Sequence, residues 1–231
     1  MAITNILAKP ATHIRSFSRR QGRITASQQA ALNSLWNVFG LDPTGKLCPS
    51  TIFARPGPLI LDIGFGNGDT LVETAERNPE KNFIGIDVHR PGIGRLLAQL
   101  QERNLQNVRV YFADAVDILN QNISDASIDG VNLFFPDPWP KKRHRKRRLV
   151  NPVFADLVGK KLRTGGRFYC ATDWEDYALQ MLETLNDCTV LKNTASNRKF
   201  VQKPVERGVT KFERRGIRLG HQIWDLIFER I

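Results

Sequence analysis

Four largely apolar, strand-like runs, Pro58–Ile63, Asn82–Asp87, Val108–Ala113 and Ile128–Phe135, each carry an aspartate at or near their ends: Asp62, Asp87, Asp114 and Asp137. Runs whose apolar residues are mostly continuous, rather than at every second position, need cover on both faces, which a strand finds in a mostly parallel sheet flanked by helices. Helix-like stretches lie between them, over Thr70–Arg77, Gly92–Arg103 and Ala115–Asn120. The order strand–helix–strand predicts an α/β fold. In such sheets the carboxyl ends of the strands line the ligand crevice, and here acids stand at those ends.

The flanks complete the pattern. Ser27 is expected to cap a helix through Ala30, Leu32, Leu35, Trp36 and Phe39, and residues 40–57 read as a connecting loop. Asn151–Leu162 reads as a helix stopped by Gly165-Gly166, Arg167–Thr172 as a fifth strand, Asp173–Asn186 as a helix and Cys188–Lys192 as a short strand. His221–Arg230 alternates, which predicts an antiparallel last strand, whereas residues 193–220 are a long basic stretch without periodicity. A basic arm over residues 1–26 and a single domain over 27–231 are the expected organisation.

The net charge of +11 is unevenly spread over the 231 residues. Residues 1–26 carry +5, Lys141–Arg148 carry +7 and residues 192–218 carry +7, which leaves the rest of the chain at −8. A mildly acidic scaffold with three basic strips suits a phosphate backbone, for both affinity and steering. Cys48, Cys170 and Cys188 show no paired spacing, which predicts free thiols in a reducing compartment, and the four histidines are scattered, so no metal site is expected. No apolar run approaches the about 20 residues that span a bilayer. The arginine-rich, acid-free start has the composition of a transit peptide.

The first aspartate opens the loop Asp62-Ile63-Gly64-Phe65-Gly66-Asn67-Gly68. Three glycines let the chain turn tightly and let a ligand meet the backbone. The spacing is G-x-G-x-G and departs from the G-x-G-x-x-G dinucleotide fingerprint. A carboxylate two residues before the first glycine repels a pyrophosphate and suits a ligand with a cationic end. That points to S-adenosyl-L-methionine: Asp62 and the backbone at Gly64, Gly66 and Gly68 toward the methionine end, Asp87 for the ribose diol and Asp114 for the adenine amino group. A helix N-cap is the plainer role for Asp87 and Asp114.

Phe134-Phe135-Pro136-Asp137-Pro138-Trp139 holds its acid between two prolines, which restrict the backbone and fix the acid's direction. Asp137 is therefore the candidate catalytic-position and cofactor-adjacent residue. No cysteine follows Pro or Thr, which disfavours cytosine-C5 chemistry. A nucleoside pocket beside a polyanion track suggests a nucleic-acid methyltransferase. An NAD(P)-dependent oxidoreductase, a methyltransferase acting on another RNA base and a non-catalytic RNA-binding protein on a methyltransferase-like fold are the alternatives.

The chain resembles the bacterial tRNA (guanine-N7)-methyltransferases through Asp62–Gly68, Gly85–His89, Phe134–Trp139 with Lys141 and Lys146-Arg147-Arg148, Ala171–Trp174 and Thr210-Lys211-Phe212-Glu213. The likeness runs from Arg15-Ser16-Phe17 and Arg20–Arg23 to Trp224–Arg230, and because it includes the basic arm it argues against a cleaved leader. It implies a Rossmann-like, seven-strand class I fold with S-adenosyl-L-methionine as methyl donor, and a cytoplasmic enzyme acting on guanosine 46 of the tRNA variable loop as a monomer or homodimer. By the same resemblance Asp62, Asp87, Asp114 and Asp137 match donor-binding acids, and Lys141, Asp173, Thr210, Lys211, Phe212 and Glu213 match substrate-binding positions. Asp137, Asp173 and Glu213 are the candidate acceptors for the guanine N1–H and N2–H edge. Arg19, Arg20, Arg23, Arg145, Arg147 and Arg148 are the expected phosphate contacts. Two departures stand out: Asp62 where the family often has Glu, and Gly208 where Pro is common.

Overall fold

A computed structural model of the chain describes residues 14–17, 22–205 and 207–231. Seven strands form one mixed sheet, in the order Val108–Phe112, Asn82–Asp87, Leu59–Ile63, Ile128–Phe134, Leu162–Thr172, Trp224–Arg230, Leu191–Asn193, as the α/β reading required. Its residues fall into two compact units, one holding residues 22–124 and the other residues 14–17, 125–205 and 207–231.

In the first unit, β1 (Leu59–Ile63), β2 (Asn82–Asp87) and β3 (Val108–Phe112) run parallel, with Asp62 in register with Gly85 and Asp87 with Phe112. All six residues of β2 are buried, the polar Asn82 and Asp87 at its ends included, as cover on both faces demands. Helices α1 (Ala26–Phe39), α3 (Asp69–Arg77) and α4 (Arg90–Glu102) supply Leu32, Phe39, Leu71, Leu96, Leu97 and Leu100 to a core shared with Phe83, Val108 and Val110. The start of α1 differs from the expectation. Thr25, two residues before Ser27, is the cap, in a reciprocal box with Gln28. The loop over residues 40–57 contains one short helix, α2 (Pro49–Ile52), begun by the proline itself. A further helix, α5 (Ala115–Gln121), follows β3.

In the second unit, β4 (Ile128–Phe134) lies parallel to β5 (Leu162–Thr172), and β7 (Trp224–Arg230) is antiparallel to both β5 and β6 (Leu191–Asn193). The alternation of the last segment was thus a sound guide to direction. Helix α6 (Pro152–Lys161) is capped by Asn151 and ends before Leu162. Gly165-Gly166 does not stop it. These glycines sit inside β5, where Gly165 takes a left-handed φ of 80° beside a register shift opposite Ile128 and Gly130. Helix α7 (Glu175–Asp187) lays Tyr177 and Met181 into a core with Phe154, Phe168 and Phe228. The stretch 193–220 is not all loop, because it holds α8 (Lys211–Arg218).

The three cysteines are free thiols. Among the described residues no helix is long and apolar enough to cross a membrane, and no group of three His, Cys, Asp or Glu stands ready to hold a metal ion.

Candidate functional site

In the first unit one carboxylate organises the glycine loop. Asp87 is buried, and its Oδ2 accepts from the Gly66 amide at 2.7 Å while Oδ1 accepts from the His89 amide at 2.8 Å. Burial pushes its pKa up, and the two backbone N–H groups work against that rise. Each oxygen keeps a further lone pair for an incoming donor. The loop can come this close because of two glycines. Gly66 has φ 62° and open space where a Cβ would stand, while a Cβ on Gly92 would meet the Gly66 carbonyl oxygen at 1.9 Å. Gly92 thus lets α4 close against the loop.

Asp62 is buried in β1. Asp114 is buried and caps α5, its Oδ1 accepting from the Val116 amide at 3.0 Å. Asp69 stands in the first turn of α3 and pairs with Arg95 at 2.9 Å. A pyrophosphate at that helix start would face a carboxylate, which disfavours a dinucleotide. Buried acids and an open glycine turn in one unit instead fit a ligand rich in hydroxyl, amino and cationic groups.

In the second unit the Phe134–Trp139 segment is held rigid at several points. Phe135 and Trp139 both adopt left-handed backbone angles, φ 53° and 43°, which bulky residues keep only where surroundings enforce them. The Phe135 amide donates to the Ala171 carbonyl at 2.7 Å, and the Trp139 indole donates to the Ser16 carbonyl at 2.8 Å. Between them stands Asp137, an exposed residue. Among the described residues it has no hydrogen-bond or ion-pair partner, and partial desolvation within the loop pushes its pKa up.

The basic run forms a 3-10 helix over Lys142–Arg147. Lys141, Arg145 and Arg147 are exposed; Arg147 covers the Trp139 ring at 4.9 Å, and Arg145 pairs with Asp176 at 3.0 Å. Arg148 corrects the expectation for this run. It is 2% exposed, its Nε donates to the Pro138 carbonyl at 2.8 Å, and its other nitrogens reach Gln180 and Asp176. It anchors the Asp137 loop from within and is not open to a phosphate. Of the arm's arginines, Arg23 is exposed, whereas Arg19 and Arg20 lie outside the described residues.

The C-terminal substrate positions divide in the same way. Lys211 and Phe212 are exposed. Asp173 is half-buried near His221, whose Nδ1 lies 3.4 Å from its Oδ2, and it does not cap α7, whose N-cap residue is Trp174 with no side-chain cap bond. Thr210 caps α8 in a reciprocal box with Glu213. Glu213 is neither a surface ion pair with Arg214 or Arg215 nor an open acceptor. It is 3% exposed, and its carboxylate receives Arg207 at 2.6 and 3.2 Å and Lys203 at 2.9 Å. Burial works to raise its pKa, but these donors outweigh it and hold the carboxyl below the usual value. Arg207, Lys203, Tyr169 and Asp225 were not singled out in the sequence. The one hint was an acid, Asp225, in a strand whose neighbours are apolar.

The Methyltransf_4 family model, a family of methyltransferases, matches residues 56–226. The chain is 52% identical over 230 residues to the tRNA (guanine-N(7)-)-methyltransferase of Methylococcus capsulatus, covering 100% of both chains. It is 50% identical over 224 residues to the Klebsiella pneumoniae protein of the same name, covering 96% of this chain and 94% of that one. Among solved structures, the 16S rRNA methyltransferase KamB superposes with a TM-score of 0.58 at 14% identity, over 79% of this chain and 92% of that one. At that identity the likeness speaks for the fold.

Proposed function

The chain belongs to the tRNA (guanine-N(7)-)-methyltransferase family, and from that premise we propose that it transfers a methyl group from S-adenosyl-L-methionine to N7 of guanosine 46 in the tRNA variable loop. The observation that carries the reading is Asp137: a carboxylate without a partner among the described residues, on a loop locked at both ends, in the unit that also bears the exposed Lys141–Arg147 strip.

S-adenosyl-L-methionine supplies an electrophilic methyl group. The residues to hold it are Asp87 for the ribose hydroxyls, Asp62 for the cationic methionine end, Asp114 for the adenine amino group and the Gly64–Gly68 backbone. Guanine N7 has a free lone pair in the neutral base, so no proton has to be removed before attack. The protein's work is alignment, together with neutralising the positive charge that methylation leaves on the base. Asp137 does both, by accepting from N1–H and N2–H and by holding a negative charge beside the ring. Asp173 is the second carboxylate available to that edge, with Thr210, Lys211, Phe212 and Lys141 around the nucleotide. Extracting the base from its tertiary contacts costs roughly a few kcal/mol, which phosphate contacts along the basic strips offset. The partner is tRNA, the compartment the cytoplasm.

Methyl transfer from labelled donor to unmodified tRNA, followed by borohydride reduction and aniline cleavage, tests the assignment. Scission at guanosine 46 alone is expected. Label at another nucleotide would favour a different RNA base as acceptor, and donor binding without label in any RNA would favour a non-catalytic binding protein.

The two neighbouring arginines are expected to separate. Arg147→Ala should leave the melting temperature unchanged, weaken tRNA binding and lower the salt slope of log K by about one. Arg148→Ala should cost about 2–3 kcal/mol, or roughly 5–10 °C in melting temperature, through its lost buried hydrogen bonds. Thermal melts with salt-dependent binding isotherms check both, and an unchanged slope in Arg147→Ala would remove it from the interface.

A further inference from the structure

The long basic stretch over residues 193–220 holds the most enclosed cation among the described residues. The Arg207 side chain is 0% exposed. Its guanidinium forks onto two carboxylates at once. Nη1 and Nη2 donate to Glu213 at 2.6 and 3.2 Å, while Nε and Nη2 reach the two Asp225 oxygens at 2.8 and 3.3 Å. Nε also donates to the Tyr169 hydroxyl at 3.0 Å, and that hydroxyl donates to Asp225 at 2.7 Å. The planar group lies near the rings of Phe134 and Phe135, 5.6 and 5.8 Å from their centroids. With Lys203 on Glu213, two cations balance two anions.

The cluster joins two segments. One is the strained Phe134–Phe135 corner from which Asp137 projects. The other is the Thr210–Glu213 cap of α8, whose Gly216 brings that helix against Asp173. A buried ion cluster is weak evidence of stability, because an apolar set of the same shape often does as well, but its fixed directions impose one arrangement. Resting on the function proposed above, we infer that Arg207 is a positioning residue for methyl transfer. It holds the Asp137 corner and the Thr210–Glu213 segment in the single relation that seats the guanine. It touches neither base nor donor and acts through Glu213, Phe134 and Phe135.

Lysine keeps the charge and loses the fork, so Arg207→Lys separates geometry from electrostatics. A small displacement of the acceptor costs up to about 10²-fold in rate while binding contacts elsewhere persist. Arg207→Lys is therefore expected to bind S-adenosyl-L-homocysteine within about twofold of wild type and to keep its KM for tRNA within about threefold. Its kcat should fall at least about 30-fold. Soluble Arg207→Lys with kcat within about threefold of wild type overturns the inference. So does a fall in kcat matched by an equal loss of cofactor-binding sites, the mark of a purely structural role. Should Arg207→Lys fail to fold, Tyr169→Phe decides. It removes one hydroxyl from the fork and keeps the ring against Phe134, at 4.9 Å between centroids. A fall in kcat of about threefold or more at unchanged tRNA KM supports positioning, and an unchanged kcat overturns it. Wild-type protein that places no label in tRNA would instead remove the functional reading beneath.

Discussion

Asp137→Asn is expected to lower kcat for tRNA methylation by roughly 10²–10³-fold while leaving the melting temperature where it was. A group preorganised against developing charge is worth about 3–4 kcal/mol in the barrier, and Asn keeps the shape but not the charge. The side chain contributes no partner within the described structure, so its loss leaves no orphaned donor behind. Activity and stability should part at this position, which distinguishes a site residue from a packing residue. The sign of the pH dependence follows from the raised pKa. The useful form is the ionised one, so activity is lost as pH falls through a value above the ordinary carboxylate range. Profiles of kcat at saturating donor and tRNA should show that acid limb in the wild type and not in Asp137→Asn. Turnover near the wild-type level in the variant would place the charge stabilisation elsewhere.

How much of this was legible depended on whether the deciding partner is near in sequence. Strands β1 to β4 and their acids were readable because burial on both faces leaves a largely continuous apolar run, a local signal. The direction of β7 was readable from its alternation. Helix α8 was not found from periodicity, because Lys-Phe-Glu-Arg-Arg-Gly-Ile-Arg offers no apolar stripe. Its cap offered a signal that was not used: Thr210-Lys211-Phe212-Glu213 is a capping-box pattern, as is Thr25-Ala26-Ser27-Gln28 at α1. In the basic run, no local rule tells Arg148 from Arg147. The difference comes from Asp176 and Gln180, 28 and 32 residues away, and from a carbonyl that the Pro138 loop turns inward. Arg207 was hidden for the same reason, since Tyr169 and Asp225 reach it only through the β5–β7 pairing. Glu213 is legible as a candidate acceptor but not as a buried partner of Arg207 and Lys203, because the sequence shows its charge and not what encloses it.

Asp87→Ala is the second large effect expected, and it falls on cofactor affinity. Two charge-assisted hydrogen bonds to a ribose diol are worth about 1.5–3 kcal/mol each, so the dissociation constant for S-adenosyl-L-homocysteine should rise by roughly 10²–10⁴-fold. A rise alone would not prove contact. The same carboxylate holds the Gly66 and His89 amides, and a loosened glycine loop would weaken binding by itself. The two causes separate in a double-mutant cycle with the 2′-deoxy analogue of the ligand. If Asp87 accepts from the diol, the wild type should lose about tenfold or more on removal of the 2′-hydroxyl, and Asp87→Ala should lose almost nothing further. Independent losses that multiply would confine Asp87 to holding the loop. Titration calorimetry on the two proteins and two ligands measures all four corners. Because burial already raises the Asp87 pKa, wild-type affinity should also weaken as pH falls through a value above the usual carboxylate range, and Asp87→Ala should lack that dependence.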